Sequence, residues 1–235
     1  IEEKIEECFM CINYDVIPER LQEYRKRLEL TQQEMADLFS VSQSEYNRLE
    51  NGKYVIPYER LKDFLNNGGD IYYLFTGQRY QTGIFDYYLE KGKNSWGRAQ
   101  ILKLLVWALE IGLHKENISL KEEIKALWKY VLFAENEYNP NNVWKTIRKA
   151  EDKSQAVMAE ILQINVKRYR RFEREQQHPD AYILLTLYQQ LGYSPMLFLE
   201  NKLYFPDLIN QIWDMFSEKE QKDLQNILDK GLSLL

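Results

Sequence analysis

The chain has 235 residues, of which 45% are hydrophobic and 29% charged, a composition typical of globular proteins. Its 10 glycines and 6 prolines are too few for a fibrous or disordered chain. The formal net charge of -5 argues against general polyanion binding, because nonspecific affinity for nucleic acids depends on Lys and Arg contacts with phosphate. The length can bury a sizeable core and favours two domains over one.

The N-terminal segment, residues 1–17, is expected to form a helical arm. Its opening, "IEEKIEECFM", is acidic where a signal peptide is basic, and the sequence has no apolar run of about 18 residues. We therefore expect a cytoplasmic protein that does not enter a membrane. Cys8 and Cys11 are the only cysteines, so no disulfide framework is possible. Their spacing matches half of a metal site, but without a second pair we interpret them as small apolar residues and expect no metal or cofactor.

Helical periodicity runs through nearly the whole chain and predicts an all-α fold. Pro18 suits the first turn of a first helix. Thr31, with Glu34 three residues later, has the capping-box pattern of a second helix that ends near Ser40. The predicted boundaries that follow are Ser42 with Glu45 at the start of a third helix, Asn51-Gly52 at its end, Pro57 before a fourth helix, and 70–75 for a fifth.

The second and third predicted helices have the features of a helix-turn-helix. In that motif a small residue lies where the two helices cross, and the second helix places its N-terminal residues against base edges in the major groove. Ala36 is the small residue here. The outward face of the third helix carries Gln43, Ser44, Asn47 and Arg48. Because Gln can pair with adenine and Arg with guanine, this row predicts contacts with DNA bases.

These motifs resemble those of a known family. The stretches "LTQQEMA", "VSQSEYNRLENGK" and "LFTGQ", together with Pro57, make residues 18–78 similar to the Cro/CI-type helix-turn-helix repressors, the XRE family. The resemblance implies a lambda-repressor-like domain that binds a double-stranded DNA operator. It also implies a transcriptional regulator of phage or mobile-element type, bacterial or phage-encoded, that acts at the nucleoid.

The resemblance assigns a role to each matching position. Base contacts go to Gln43, Ser44 and Arg48, phosphate contacts to Gln32, Asn51 and Lys53, and an internal ion pair to Arg25 and Glu50. Gln32 would also hold Gln43 in place. Two positions depart from the family pattern. Ser40 stands where glycine is common, and Glu45 brings a carboxylate that either repels phosphate or accepts a hydrogen bond from cytosine.

Residues 79–142 are predicted to be a helical linker. Two helices are expected between "GQRYQTG" and "NPNN", separated by Gly112 and with the second capped at Ser119. The first of them is apolar almost all round and must be covered. Burial within the chain would cover it, and so would a homodimer through residues 98–135.

The sequence repeats itself at a shift of 123 residues. Residues 25–75 overlay 148–198 without a gap and share 12 identities in 51 positions, several times the number expected from composition. The ion-pair positions recur as Arg148 and Glu173. We therefore expect tandem helix-turn-helix domains, the second diverged and spanning 143–202. C-terminal helices are expected in 203–235, where Ser217 and Glu220 mark a capping box.

The second copy includes the most basic stretch of the chain. Residues 143–177 carry 9 Lys and Arg against 5 Asp and Glu, a net of +4, whereas residues 1–77 carry 9 against 15, a net of -6. The candidate DNA contacts are Gln155, Lys167, Arg168, Arg170, Arg171 and Arg174. The alternative is a solvated charge run on a domain that serves packing or dimerisation. If both copies bind, the chain is a pseudo-dimer for an asymmetric site with half-sites about 34 Å apart or at multiples of that distance.

Two classes of function fit the sequence. The favoured one is a sequence-specific transcriptional regulator, most simply a repressor. The alternative is an interaction protein, such as an antitoxin-like partner or a sensor, in which the helix-turn-helix copies are scaffold; the acidic total and the apolar central helices favour it. No Gly-rich phosphate loop, metal-ligand cluster or Ser-His-Asp motif is found, so we do not expect an enzyme.

Overall fold

A computed structural model of the protein describes residues 13–79, 83–116, 118–135, 142–200 and 206–234. Helices are the only regular secondary structure in these ranges, which confirms the predicted all-α class. The helices are α1 (Val16–Arg27), α2 (Gln32–Leu38), α3 (Gln43–Glu50), α4 (Tyr58–Asn66), α5 (Ile71–Thr76), α6 (Ile84–Leu89), α7 (Ser95–Lys115), α8 (Lys121–Glu135), α9 (Val143–Ala150), α10 (Gln155–Ile161), α11 (Val166–Glu173), α12 (Ala181–Leu191), α13 (Met196–Leu199), α14 (Pro206–Asp214) and α15 (Glu218–Leu232). Residues 1–12 of the expected N-terminal arm, with Cys8 and Cys11, lie outside the described residues.

The helices belong to two compact units. The first unit, residues 1–80 and 155–202, contains α1–α5 and α10–α13. The second unit, residues 81–154 and 203–235, contains α6–α9, α14 and α15. Consequently α9 lies in the second unit, while the helices that follow it directly in the chain lie in the first.

The starts of α1–α3 follow their sequence signals. Pro18 lies in the first turn of α1, where its missing N–H is no loss. The Thr31 hydroxyl accepts a hydrogen bond from the Glu34 N–H, and the Glu34 carboxylate accepts one from the Thr31 N–H at 2.7 Å, which confirms the capping box. The Ser42 hydroxyl accepts from the Glu45 N–H at 3.2 Å and so fixes the start of α3.

The core of the first unit holds α2 against α3. The fully buried side chains of these two helices and the adjoining turn are Met35, Ala36, Phe39, Tyr46 and Leu49. Phe39 also stacks on Phe64 of α4, with ring centroids 4.4 Å apart. Ala181, Leu184 and Leu185 of α12 and Leu199 of α13 belong to the same hydrophobic cluster. One apolar core therefore joins the two chain segments of this unit.

The turn between α2 and α3 has a counterpart between α10 and α11. The bounds of α10 and α11 lie 123 positions after the bounds of α2 and α3, residue for residue. Each turn contains one residue with left-handed backbone, Ser40 with φ 52° and Gln163 with φ 54°, and these two are also 123 positions apart. Both segments therefore have the same local backbone.

The structure of the linker region differs from its prediction. Instead of ending at Gly112, α7 continues to Lys115. A Cβ atom on Gly112 would lie 2.7 Å from a ring carbon of Phe216 and 3.2 Å from Leu224, so glycine serves close packing here and does not end the helix. The following helix, α8, begins at Lys121, two residues after Ser119, the residue predicted to cap it.

Two other helices of the second unit bear on the sequence predictions. One of them, α6, is a helix of six residues with the sequence "IFDYYL" that the sequence pattern does not predict. By contrast, the predicted start of α15 is confirmed, because Ser217 and Glu220 form a reciprocal capping box.

Candidate nucleic-acid interface

One face of α3 is buried in the core, and this leaves the opposite face exposed to solvent. Tyr46 and Leu49 are almost wholly removed from solvent against α1 and α2, which fixes the rotation of the helix. Gln43, Ser44 and Arg48 are consequently exposed, as predicted from their spacing. Within the described part of the chain the Gln43 side chain makes no hydrogen bond, so its amide is available to a ligand.

Arg48 lies beside an aromatic ring that the sequence analysis did not consider. Its guanidinium carbon is 5.0 Å from the centroid of the Tyr54 ring, within the range of a cation–π interaction. The Tyr54 hydroxyl in turn donates a weak hydrogen bond to the Glu45 carbonyl oxygen at 3.4 Å. Ser42 and Ser44 complete the wall of an open depression around Arg48. The turn after α3 therefore limits the directions in which Arg48 can extend.

The C-terminal end of α3 carries two of the predicted contact residues. The Asn51 side-chain nitrogen donates to the Asn47 carbonyl oxygen at 2.7 Å and to Asn47 Oδ1 at 3.3 Å. Asn47 is half-buried under this arrangement, and Lys53, just beyond the helix, is exposed. Lys53 is thus accessible to phosphate, whereas the Asn51 side-chain nitrogen, the donor that a phosphate contact would need, is directed at Asn47.

Glu50 is the centre of a buried polar network. Its carboxylate accepts hydrogen bonds from Arg25 Nε at 2.6 Å, from Gln32 Nε2 at 2.8 Å and from the Tyr46 hydroxyl at 3.1 Å. Burial would raise the pKa of Glu50, but the three hydrogen bonds outweigh it and hold the pKa below its usual value. Gln32 therefore uses one amide hydrogen inside the protein, and its remaining polar atoms are those that can reach phosphate.

In α11 most of the predicted contact residues point to solvent, and one does not. Lys167, Arg170, Arg171 and Arg174 are exposed. Arg168 is half-buried instead, because its Nη2 forms an ion pair with Asp180 Oδ2 at 2.8 Å. Asp180 also accepts from the Ile183 N–H and so caps α12. Arg168 therefore ties α11 to the start of α12.

The network around Gln155 resembles that around Gln32. Gln155 Nε2 donates to Glu173 Oε2 at 2.5 Å, as Gln32 does to Glu50. Gln155 Oε1 additionally accepts from Arg170 Nε at 3.1 Å, so both ends of the Gln155 side-chain amide are hydrogen-bonded. Arg148 lies in the second unit, where it donates to the Lys153 carbonyl oxygen at 3.4 Å.

The helices α2 and α3 form a helix-turn-helix. A small residue lies where they cross, their inner faces are buried, and the outer face of the second helix is polar. Comparison with protein families matches residues 19–78 to a family described as a helix-turn-helix domain. This segment is a helix-turn-helix domain of the XRE/Cro type, as its motifs predicted, and domains of this kind bind DNA in transcription regulators. Comparison of the chain with curated proteins and with solved structures gives no match.

Two negative observations apply to the described ranges. None of the helices there is long and apolar enough to cross a membrane. The same ranges contain no group of three or more His, Cys, Asp or Glu residues placed to hold a metal ion.

Proposed function

We propose that the protein is a sequence-specific transcription regulator that inserts α3 into the major groove of double-stranded DNA. The exposed row of Gln43, Ser44 and Arg48 on a helix whose inner face is locked in the core carries this proposal. Arg48 would bond a guanine edge bidentately, and Gln43 an adenine edge. Lys53, with Asn51 and Gln32, would fix the register through phosphate.

The regulator would most simply be a repressor of the Cro/CI type, of phage or mobile-element origin. Its motifs at α2, α3 and the following turn support this assignment, because they are the ones in which residues 18–78 resemble that group. A repressor blocks transcription by occupying its site, and no residue beyond the DNA-binding surface is required for it.

A second DNA contact through α11 is part of the proposal. Two observations support residues 143–202 as a diverged copy: the matching bounds of α10 and α11 and the shared left-handed turn residue. Arg170, Arg171, Arg174 and Lys167 give this helix the charge that phosphate contacts need. Arg168 is assigned to the protein's own ion pair with Asp180.

The alternative function is an interaction protein, and one observation favours it. On α7, Trp107 and Ile111 are 47% and 37% exposed, although apolar side chains of this size are usually buried. A homodimer through residues 98–135 would cover them.

Salt dependence of DNA binding separates the two functions. Binding of the full chain to duplex DNA should weaken steeply between about 50 and 200 mM salt, because each phosphate contact releases counterions. Matched duplexes with and without the selected sequence should differ in affinity by at least about 1,000-fold. Equal, weak binding to both duplexes would favour the interaction protein.

A further inference from the structure

We propose that the two helix-turn-helix elements of the first unit form an intramolecular pseudo-dimer, so that a single chain occupies both halves of a bipartite DNA site, and that Tyr58 fixes the spacing of the halves. The inference rests on the proposed function of α3 and α11. It concerns the contact between the segments that carry these helices, both of which lie in the first unit.

The contact joins two equivalent pieces of chain. Residues 55–58 lead into α4, and residues 178–181, which are 123 positions later, lead into α12. The Ala181 N–H donates to the Ile56 carbonyl oxygen at 2.9 Å. The Tyr58 ring stacks on the His178 ring, with centroids 4.4 Å apart and an interplanar angle of 12°.

The pattern of these contacts is reciprocal to within one position. In a two-fold interface both partners use the same surface. A contact from position i of one partner to position j of the other is therefore matched by a contact from j to i. Tyr58 and Ala181 are the first residues of equivalent helices. The Tyr58 ring contacts His178, in the piece before α12, and the Ala181 N–H contacts Ile56, in the piece before α4 and one position after Val55, the equivalent of His178. Each helix start therefore meets the approach to the other, with a shift of one position from exact two-fold pairing.

Tyr58 holds this contact more firmly than its counterpart does. Besides stacking on His178, its hydroxyl donates to the Phe198 carbonyl oxygen at 2.8 Å, just after the α12 segment in the chain. Ala181, at the equivalent position, has no ring and no hydroxyl. The apolar cluster that includes Leu184, Leu185 and Leu199 backs the contact. A single side chain therefore connects the α4 start to the segment before α12 and to α13.

Fixing the two segments to each other fixes α3 relative to α11. Two recognition elements in one compact unit would contact two half-sites, which in most helix-turn-helix proteins requires two chains. Here the second recognition element of the same chain would bind the second half-site. Linked binding of this kind raises affinity about 100-fold or more without a second protein molecule. The α3 half would supply base recognition and the α11 half mainly phosphate contacts.

The test uses the full chain and the bipartite sequence that it enriches from a random duplex library. Native mass spectrometry of the complex should show one chain for each duplex. Inserting about five base pairs between the halves turns them to opposite faces of the helix and should cost about 100-fold in affinity. In Tyr58→Ala the same insertion should reduce the affinity by less than about tenfold, and the half-site sequences should stay unchanged. Tyr58→Phe keeps the stacked ring, so its loss of affinity on the same insertion should lie between that of the wild type and that of Tyr58→Ala.

Tyr87→Ala is the matched control, because it removes an exposed tyrosine of the second unit and should behave as the wild type. Two chains on each bipartite duplex, or an enriched sequence with a single half, would overturn the pseudo-dimer while leaving the function of α3 intact. An unchanged spacing preference in both Tyr58 variants would overturn the role of Tyr58. Failure of the wild type to enrich any sequence would instead contradict the proposed function.

Discussion

Ser40 and Gln163, 123 residues apart, both adopt left-handed backbone, with φ 52° in the turn after α2 and φ 54° in the turn after α10. Left-handed backbone is unfavourable for residues with a Cβ atom, by about 1 kcal/mol or more. The surrounding hydrogen bonds hold it: Arg60 Nη1 donates to the Ser40 carbonyl oxygen at 3.1 Å. Both segments therefore keep a strained turn that glycine would relieve.

Replacing Ser40 with glycine should stabilise the protein. Relief of the left-handed strain is larger than the entropy that glycine adds to the unfolded chain, so we expect a gain of about 0.5 to 1 kcal/mol in the free energy of unfolding. Chemical denaturation would measure it. Ser44→Gly, in the helical backbone of α3, is the control and should destabilise by a similar amount. A loss of stability in Ser40→Gly would show that the turn is not strained.

Arg48→Ala should reduce specific DNA binding by roughly 1 to 3 kcal/mol and relax the preference at one base pair. Arg48 is exposed beside Tyr54, so its loss leaves the core intact. Fluorescence anisotropy with the preferred site and its single-base variants would measure both effects. Arg27→Ala removes an arginine of α1 that packs over Tyr73 and should not alter base preference. Unchanged specificity in Arg48→Ala would remove α3 from the recognition surface.

Neutralising Arg170, Arg171 and Arg174 together should weaken binding to all sequences alike. If each contacts a phosphate, the slope of log K against log salt should decrease by about 0.9 for each residue. Salt titrations of the full chain would show it. Arg168→Gln is the matched control, because that residue is paired with Asp180 and should affect stability without changing the slope. A slope that is the same in the triple variant and the wild type would make α11 a structural helix.

Stability should depend on pH through Glu50. A carboxylate whose pKa is lower in the folded state stabilises that state above the unfolded pKa, and the contribution is lost as pH falls through the folded pKa. We therefore expect stability to decline below about pH 4.3. Glu50→Gln should reduce this decline and cost about 3 kcal/mol at neutral pH, because Arg25 loses its buried partner. Denaturation at several pH values would test it, and an identical pH profile in the variant would contradict the assignment.

Gly112→Ala should destabilise the second unit, although alanine normally favours helices. The added Cβ would lie 2.7 Å from Phe216, and overpacking of this kind typically costs 1 to 3 kcal/mol. Thermal unfolding of the full chain would reveal a lower transition temperature. A higher transition temperature would mean that helix propensity outweighs the packing at this position.

Local signals predicted much of the first unit. The capping box of Thr31 and Glu34 and the Asn51-Gly52 end of α3 act within a few residues, so the sequence alone determines them. Helix periodicity likewise placed Gln43 and Arg48 on the outer face. Such features depend on neighbours along the chain and need no tertiary information.

The features that the sequence does not predict arise where distant parts of the chain meet. Gly112 indicates a helix end in isolation, but its packing against Phe216 makes glycine useful inside α7. Arg168 matched a basic recognition face, and its ion pair with Asp180 depends on how α11 meets α12. The contact of Tyr58 with Phe198 spans 140 residues, a separation at which no periodicity gives a signal.

Selection from a random double-stranded DNA library, with the full chain at moderate salt, tests the central claim most directly. Wild-type protein should enrich a defined sequence, and Gln43→Ala with Arg48→Ala should lose the base positions that α3 contacts while keeping those elsewhere in the site. Absence of any enriched sequence from the wild type would contradict DNA recognition by α3.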